Sequence, residues 1–290
     1  MNETKRVLPV CTPCGSRFTP HAAIGFAAFL SGCVVLAIAG CGGEGERPAG
    51  NVSGNREVRV AAAANTKFAF DEIARDFQKK YPQIKVTVTY GSSGNFFAQI
   101  CQNAPFDMFL SADVEYPNAL IAKGLAAENA RFIYAVGKMV VWAPSDSRLD
   151  LINLGIQAVA DPRARKVAIA NPRHAPYGRA AVAAMKKVGV YEQAKDRLVL
   201  GENVEQTAHF LHTGAADIGI VPLSLALAPA LREKGHYCLV PADAYAPLEQ
   251  AGIILSSAQD KESAARLRSF LTGTEGQEVL KRHGYDFPKD

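Results

Sequence analysis

The stretch AAAANTKFAFDEIARDFQKKYPQIKVTVTYGSSGNFFAQICQNAPFDMFLSAD, residues 61–113, switches between two periodicities, and its reading decides the fold. At its start, Arg59 to Ala64 is a run of small apolar residues that reads as a buried strand. FAFDEIARDFQKKY follows, with Phe70, Ile73, Ala74 and Phe77 at helical spacing. IKVTVTY (84–90) is again a strand, GSSG (91–94) a turn, NFFAQICQ a helix, DMFLSA (107–112) a strand and VEYPNALIAKG a helix. Strands separated by single helices predict parallel βαβ units with right-handed crossovers.

The alternation restarts downstream. KMVVWAP (138–144), KVAIA (166–170), LVL (198–200), DIGIVP (217–222), YCLVP (237–241) and AGIILS (251–256) read as strands. GRAAVAAMKKVGV (178–190), NVEQTAHFLHTG (203–214), most of SLALAPALREKG, KESAARLRSFLTG and TEGQEVLKRHG read as helices, with Gly214 as a C-cap. No internal repeat of about 20–50 residues is present, which excludes a solenoid. The 290 residues accommodate two α/β lobes of about 100–130 residues each.

Upstream, a basic stretch (Lys5, Arg6, Arg17) precedes an apolar run from about Ala22 to Gly40 that carries no charge. Small residues end the run and a polar, Gly-rich tract follows, so a signal peptide fits better than a membrane span. Ile38-Ala39-Gly40-Cys41 resembles a bacterial lipobox, in which the cysteine is acylated and becomes the first residue. Leu30-Ser31-Gly32-Cys33 is an alternative, but cleavage there would leave VVLAIAG where a solvated tether is expected, so Cys41 is favoured. An uncleaved N-terminal anchor would place the protein on the same side of the membrane. The expected division is a signal peptide over 1–40 and a flexible tether over 41–56, then a first lobe over 57–136 plus 248–290 and a second over 137–247. Cys101 and Cys238 then fall in different lobes, and no disulfide is expected. Cys11-Thr12-Pro13-Cys14 has redox or zinc spacing, but it lies in the leader with no second ligand pair.

Composition narrows the partners. The chain is 48% hydrophobic and 21% charged, with a formal net charge of +4. Without the first 40 residues the balance falls to +2. No basic stripe suited to a phosphate backbone is present, so no nucleic-acid partner is expected.

Four strand-to-helix junctions carry small or hydroxyl-bearing residues: Ala64-Asn65-Thr66, Gly91-Ser92-Ser93-Gly94, Ala175-Pro176-Tyr177-Gly178 and Gly201-Glu202-Asn203-Val204. A helix N-terminus offers unpaired N–H groups and the positive end of the peptide dipole, and so suits an anion. Ligands of open α/β sheets collect at the carboxyl ends of the strands, where these junctions lie. Gly91 and Gly94 would let the backbone approach closely, and Asn65, Ser93 and Tyr177 add neutral donors. Taken one at a time, such residues are also ordinary helix caps.

Residues 61–113 resemble the start of ModA-type periplasmic molybdate-binding proteins. The shared pattern is a small-residue strand entering a helix, a Gly/Ser-Ser turn, Q-I-x-x-x-A-P and then D-x-F-[IL]-S-A-D. The resemblance continues through VAIANPRHAPYGRAAVAAMKKVG, LVLGENVEQTAHFL, ADIGIVP and EVLKRHGYDF, covering about residues 57–287. It implies an α/β, two-lobed type II periplasmic-binding-protein fold. Each lobe is a mixed, mostly parallel sheet flanked by helices, with the ligand cleft between lobes. It also implies that the protein is not an enzyme. A monomer would carry molybdate or tungstate to the permease of an ABC transporter, from the periplasm and with a lipid anchor, using no cofactor and no metal. By position, the ligand-binding residues would be Asn65 with the N–H of Ala64 or Asn65, then Ser93, Tyr177 and the N–H of Val204. Three departures stand out. Ala64-Asn65 precedes the first helix where family members often have Ser or Thr. Pro222 follows Gly219-Ile220-Val221 where many members have tyrosine, and Tyr177 stands where many have a small residue, as if the tyrosine had moved across the cleft.

Other signals point elsewhere. Arg173, His174 and Arg179 could mark a charged pocket for sulfate or phosphate, which is the main alternative. Gly91-Ser92-Ser93-Gly94-Asn95 resembles a hydrolase nucleophile elbow, but its final glycine is missing and no His–acid pair is assignable. His209 and His212 share a helix face without a further ligand. Asp107 and Asp113 read as a cap and a fold element.

Overall fold

The computed structural model describes residues 56–288; the expected signal peptide, the lipidated Cys41 and the expected tether lie outside them, except Arg56, which opens the first strand instead. Ten strands form two five-stranded sheets. In the first lobe these are β1 (Arg56–Ala63), β2 (Ile84–Gly91), β3 (Met108–Leu110), β4 (Arg131–Gly137) and β10 (Leu248–Ile254), in the order β2-β1-β3-β10-β4. In the second they are β5 (Met139–Pro144), β6 (Val167–Ala170), β7 (Leu198–Gly201), β8 (Ile218–Pro222) and β9 (Gly235–Leu239), in the order β7-β6-β8-β5-β9. Three neighbouring strands in each sheet are parallel, one is antiparallel to them, and the edge strand beyond it reverses again. Four strands of five therefore point the same way in each lobe.

The helices are α1 (Lys67–Lys80), α2 (Ser93–Cys101), α3 (Glu115–Ala122), α4 (Leu151–Leu154), α5 (Pro176–Lys187), α6 (Tyr191–Ala194), α7 (Val204–His212), α8 (Leu223–Ala226), α9 (Pro229–Arg232), α10 (Lys261–Thr272) and α11 (Thr274–Arg282). Their faces follow the sequence. In α1, Ala69, Phe70, Ile73, Ala74 and Phe77 are buried, one stripe at helical spacing, and all but Ala74 share a cluster with Val58, Val60 and Phe270. α2 and α3 cover the other face of the first sheet through Phe96, Ile100 and Leu120. Strand β1 lies inside its sheet under helices on both faces, so it is apolar throughout its second half: Val60, Ala61 and Ala62 are fully buried. The small Ala63 and Ala64 extend this run to the cleft, where they join a cluster built mainly from the second lobe.

Lys138 alone separates β4 from β5, and the chain returns through residues 240–247. Three features differ from the sequence reading. RFIYAVG forms β4, an edge strand that the expected elements did not include. SLALAPALREKG breaks into the two short helices α8 and α9, because Pro229 stops one and starts the other. α4, the 3-10 turn after it (Gly155–Ala160) and α6 also went unread, since each is too short to show a helical period. Cys101 and Cys238 are free thiols.

Candidate functional site

In each lobe two parallel strands deliver the chain to a helix start facing the other lobe: β1 and β2 on one side, β6 and β7 on the other. A small cavity lies between them. It is lined by Ala63, Ala64, Asn65, Gly91, Ser92, Ser93 and Ala112 from the first lobe, and by Ala175, Pro176, Tyr177, Asn203 and Val204 from the second. All five residues singled out from the sequence, Ala64, Asn65, Ser93, Tyr177 and Val204, are in this lining. No charged side chain is.

Each position has a definite role in the surrounding hydrogen bonding. Ser93 is buried at 1% exposure, and its Oγ accepts the backbone N–H of Ala112 at 3.0 Å. Among the described residues its own hydroxyl hydrogen goes to no protein acceptor. Tyr177 is the second residue of α5, and its hydroxyl oxygen accepts from Gln250 Nε2 at 3.4 Å. Burial pushes the Tyr177 phenol well above its ordinary value, so it remains a proton donor at any physiological pH. Val204 opens α7, whose cap is Asn203, with Oδ1 accepting Gln206 N–H at 3.0 Å.

Asn65 departs from its expected role as a side-chain donor to the cleft. Its Nδ2 donates to Gln250 Oε1 at 2.9 Å and to Tyr285 Oη at 2.8 Å. Both amide hydrogens are committed beneath the cleft, because an unpaired amide in a dry interior is costly. What remains to the position is backbone N–H. The 3-10 turn Ala64–Thr66 has no side-chain cap, and neither has α2 or α5. Three of the four helix starts are therefore not ordinary capped ends.

The lobes also touch directly. Gly94 N–H donates to His174 O at 2.9 Å, and Ser92 Oγ pairs with His174 Nδ1 at 2.9 Å. A Cβ at Gly94 would lie 2.8 Å from His174 Cα, so this glycine admits the opposing lobe's backbone rather than a ligand. Arg179 bridges to Asp113 at 2.5 Å and Glu115 at 3.1 Å, and Ser224 Oγ donates to Asn65 O at 2.8 Å. Arg179 is thus engaged by two carboxylates, and Arg173 is exposed. His174 is occupied by Ser92, so none of the three charged candidates lines the cavity. Pro222 sits in β8 opposite Met139 and does not line it either.

The remaining singled-out residues have structural surroundings. Asp107 Oδ2 accepts Arg59 N–H at 2.8 Å, and its Oδ1 accepts Gln259 N–H at 3.0 Å. Asp113 accepts Tyr116 N–H at the start of α3. His209 is exposed, and His212 Nδ1 contacts Ala230 O at 3.0 Å.

Sequence reasoning missed the polar layer below the cavity: Gln250, Tyr134, Tyr285 and Ser224, all buried. Tyr134 donates to Ser111 O at 3.0 Å and Tyr285 to Asn65 O at 2.7 Å. The available signal was Gln250 itself, a polar residue immediately before the apolar run AGIIL.

A sequence model described as bacterial extracellular solute-binding protein matches residues 58–286. The chain is 38% identical over 229 residues to the molybdate-binding protein ModA of Rhodobacter capsulatus, covering 79% of this chain and 88% of the relative. It is 39% identical over 230 residues to ModA of Azotobacter vinelandii, covering 79% and 89%. The fold is similar to the solved periplasmic molybdate-binding protein of Azotobacter vinelandii, with a TM-score of 0.75 and 32% identity over 80% of this chain and 100% of that one.

Proposed function

The chain belongs to the bacterial extracellular solute-binding proteins, in the ModA group, and from that premise we propose that it captures molybdate or tungstate in the cleft and delivers it to the permease of an ABC importer. The observation that carries this reading is the lining itself: neutral donors from both lobes converge on one buried cavity with no cationic side chain. Ser93 Oγ–H and Tyr177 Oη–H, with backbone N–H of Ala64 or Asn65 and of Val204, would replace the water around a tetrahedral dianion. Helix-start dipoles aimed into a dry cleft stabilise such an anion without a counter-charge.

The function is binding, with no covalent step. Opening and closing occur about the two passages between the lobes, at Lys138 and at residues 240–247. At the N-terminus, a signal peptide, acylation of Cys41 and a tether of about 15 residues would hold a monomer at the outer face of the cytoplasmic membrane.

Calorimetry of a soluble form beginning near Asn51 tests the reading. Molybdate and tungstate are expected to bind one to one and to raise the melting temperature, with sulfate and phosphate competing weakly. Phosphate binding without a response to molybdate would refute it.

A further inference from the structure

Gln250 does not line the cavity, yet it is fully buried directly beneath it and joins the two lobes. Its position comes from a bulge. The pairing of β10 with β4 steps from Gln250 opposite Ala135 to Ala251 opposite Ile133, which leaves Tyr134 as the extra residue. Bulges re-aim side chains in this way.

The orientation of the Gln250 amide is fixed by its neighbours. Nε2 faces the carbonyl oxygens of Leu248 at 3.2 Å and Ala112 at 3.4 Å, which can only accept. Oε1 faces Asn65 Nδ2 at 2.9 Å, which can only donate. The end of the amide that meets Tyr177 Oη, at 3.4 Å, is therefore the NH2, whose two hydrogens are shared among these three acceptors. A phenol cannot donate to an N–H, so the Tyr177 proton must turn elsewhere, and among the described residues no other acceptor meets it. The seat is sterically specific as well. A Cβ at Gly137 would collide with Tyr177 Oη and stand 2.8 Å from Gln250 Nε2, so the hydroxyl and the amide meet only because residue 137 has no side chain.

We propose that Gln250 is a positioning residue of the anion site: its Nε2–H occupies the Tyr177 hydroxyl oxygen and so directs the phenolic proton at the bound oxyanion. Asn65 takes part by holding Gln250 in the required orientation. This inference rests on the oxyanion reading of the cleft.

The test is a double-variant cycle read by calorimetry with molybdate, with thermal unfolding of each protein measured alongside. Gln250→Leu is expected to raise Kd roughly fivefold, the equivalent of about one neutral hydrogen bond. In the Tyr177→Phe protein the same substitution is expected to change Kd no further, because the proton it directs is gone. An equal loss in both backgrounds, or no loss in either, would overturn the inference and leave Gln250 a packing residue. If Gln250→Leu unfolds the protein, Gln250→Met, which keeps the length of the side chain and removes the N–H, replaces it in the cycle. It is expected to weaken binding only where Tyr177 is present; equal weakening in both backgrounds overturns the inference too. Failure of the unsubstituted protein to bind molybdate would sink the oxyanion reading and this inference together. Tight binding with additive variants would sink the inference alone.

Discussion

Replacing Ser93 by alanine acts on two hydrogen bonds that can be read out separately. The Ser93 oxygen accepts Ala112 N–H in the protein alone, while its hydrogen is available to the anion. Loss of the donor removes a hydrogen bond to a charged group, about 1.5–3 kcal/mol, or roughly tenfold to over a hundredfold in Kd. Loss of the acceptor leaves the Ala112 N–H unpaired in a buried setting, at a cost of about 1–3 kcal/mol to the fold. The fold penalty is common to the free and bound forms, so it lowers the melting temperature without entering Kd. Calorimetric titration with molybdate and thermal unfolding without it separate the two effects. Ser92→Ala is the control: its oxygen pairs with His174, so it weakens lobe contact but removes no donor from the anion. A Ser93→Ala protein that binds within twofold of the unsubstituted one would refute the neutral-donor site, most decisively if Arg173→Ala abolished binding.

Val204→Ala should leave affinity nearly unchanged, whereas Val204→Pro should lower it tenfold or more, because it removes the N–H at the first position of α7; proline is tolerated there and Asn203 is already extended, so circular dichroism should show the helix intact. Arg179→Ala should raise Kd by no more than a few fold, chiefly through faster release in stopped-flow measurements, since its partly exposed bridges join the lobes without touching the anion. Burial would raise the Asp107 carboxyl, but hydrogen bonds from Arg59 and Gln259 outweigh it and hold the group below the usual carboxylate range. Its contribution to stability is therefore present above the unfolded-state value and lost as pH falls through the depressed folded one. The stability gap between the unsubstituted protein and Asp107→Asn in urea titrations should be widest near neutral pH and close in acid. Cys41→Ala should abolish incorporation of labelled lipid and release the protein into the soluble periplasmic fraction, while Cys33→Ala should not.

The architecture was legible because the parallel units repeat one strong pattern. In residues 61–113 the change from apolar strand to a Phe70–Ile73–Phe77 stripe marks each crossover without ambiguity. The junctions that line the cavity were legible for the same reason, since each follows directly on a strand that the pattern marks. What escaped was determined by non-local contacts. Strand β4 reads as ordinary apolar sequence, and only its pairing with β10 from the far end of the chain makes it an edge. Asn65 looks like a ligand donor until Gln250 and Tyr285, 185 and 220 residues away, are brought against it. Residue type can propose a donor; only the fold decides which acceptor claims it.

The place of β10 between β3 and β4 dictates an order of assembly. The second sheet is drawn from one continuous segment, β5 through β9, and all its partners exist once that segment has emerged. The first sheet has a gap at its centre until β10, which begins only at Leu248, arrives, because β3 and β4 do not pair with each other. During synthesis and export the N-terminal half must therefore wait with two strand edges open, while the middle of the chain can already be native. Unpaired edges are where chains associate wrongly. A nascent chain held back from folding until translocation is finished would meet this hazard least, and a stop within residues 240–247 would leave one folded lobe attached to one that cannot close.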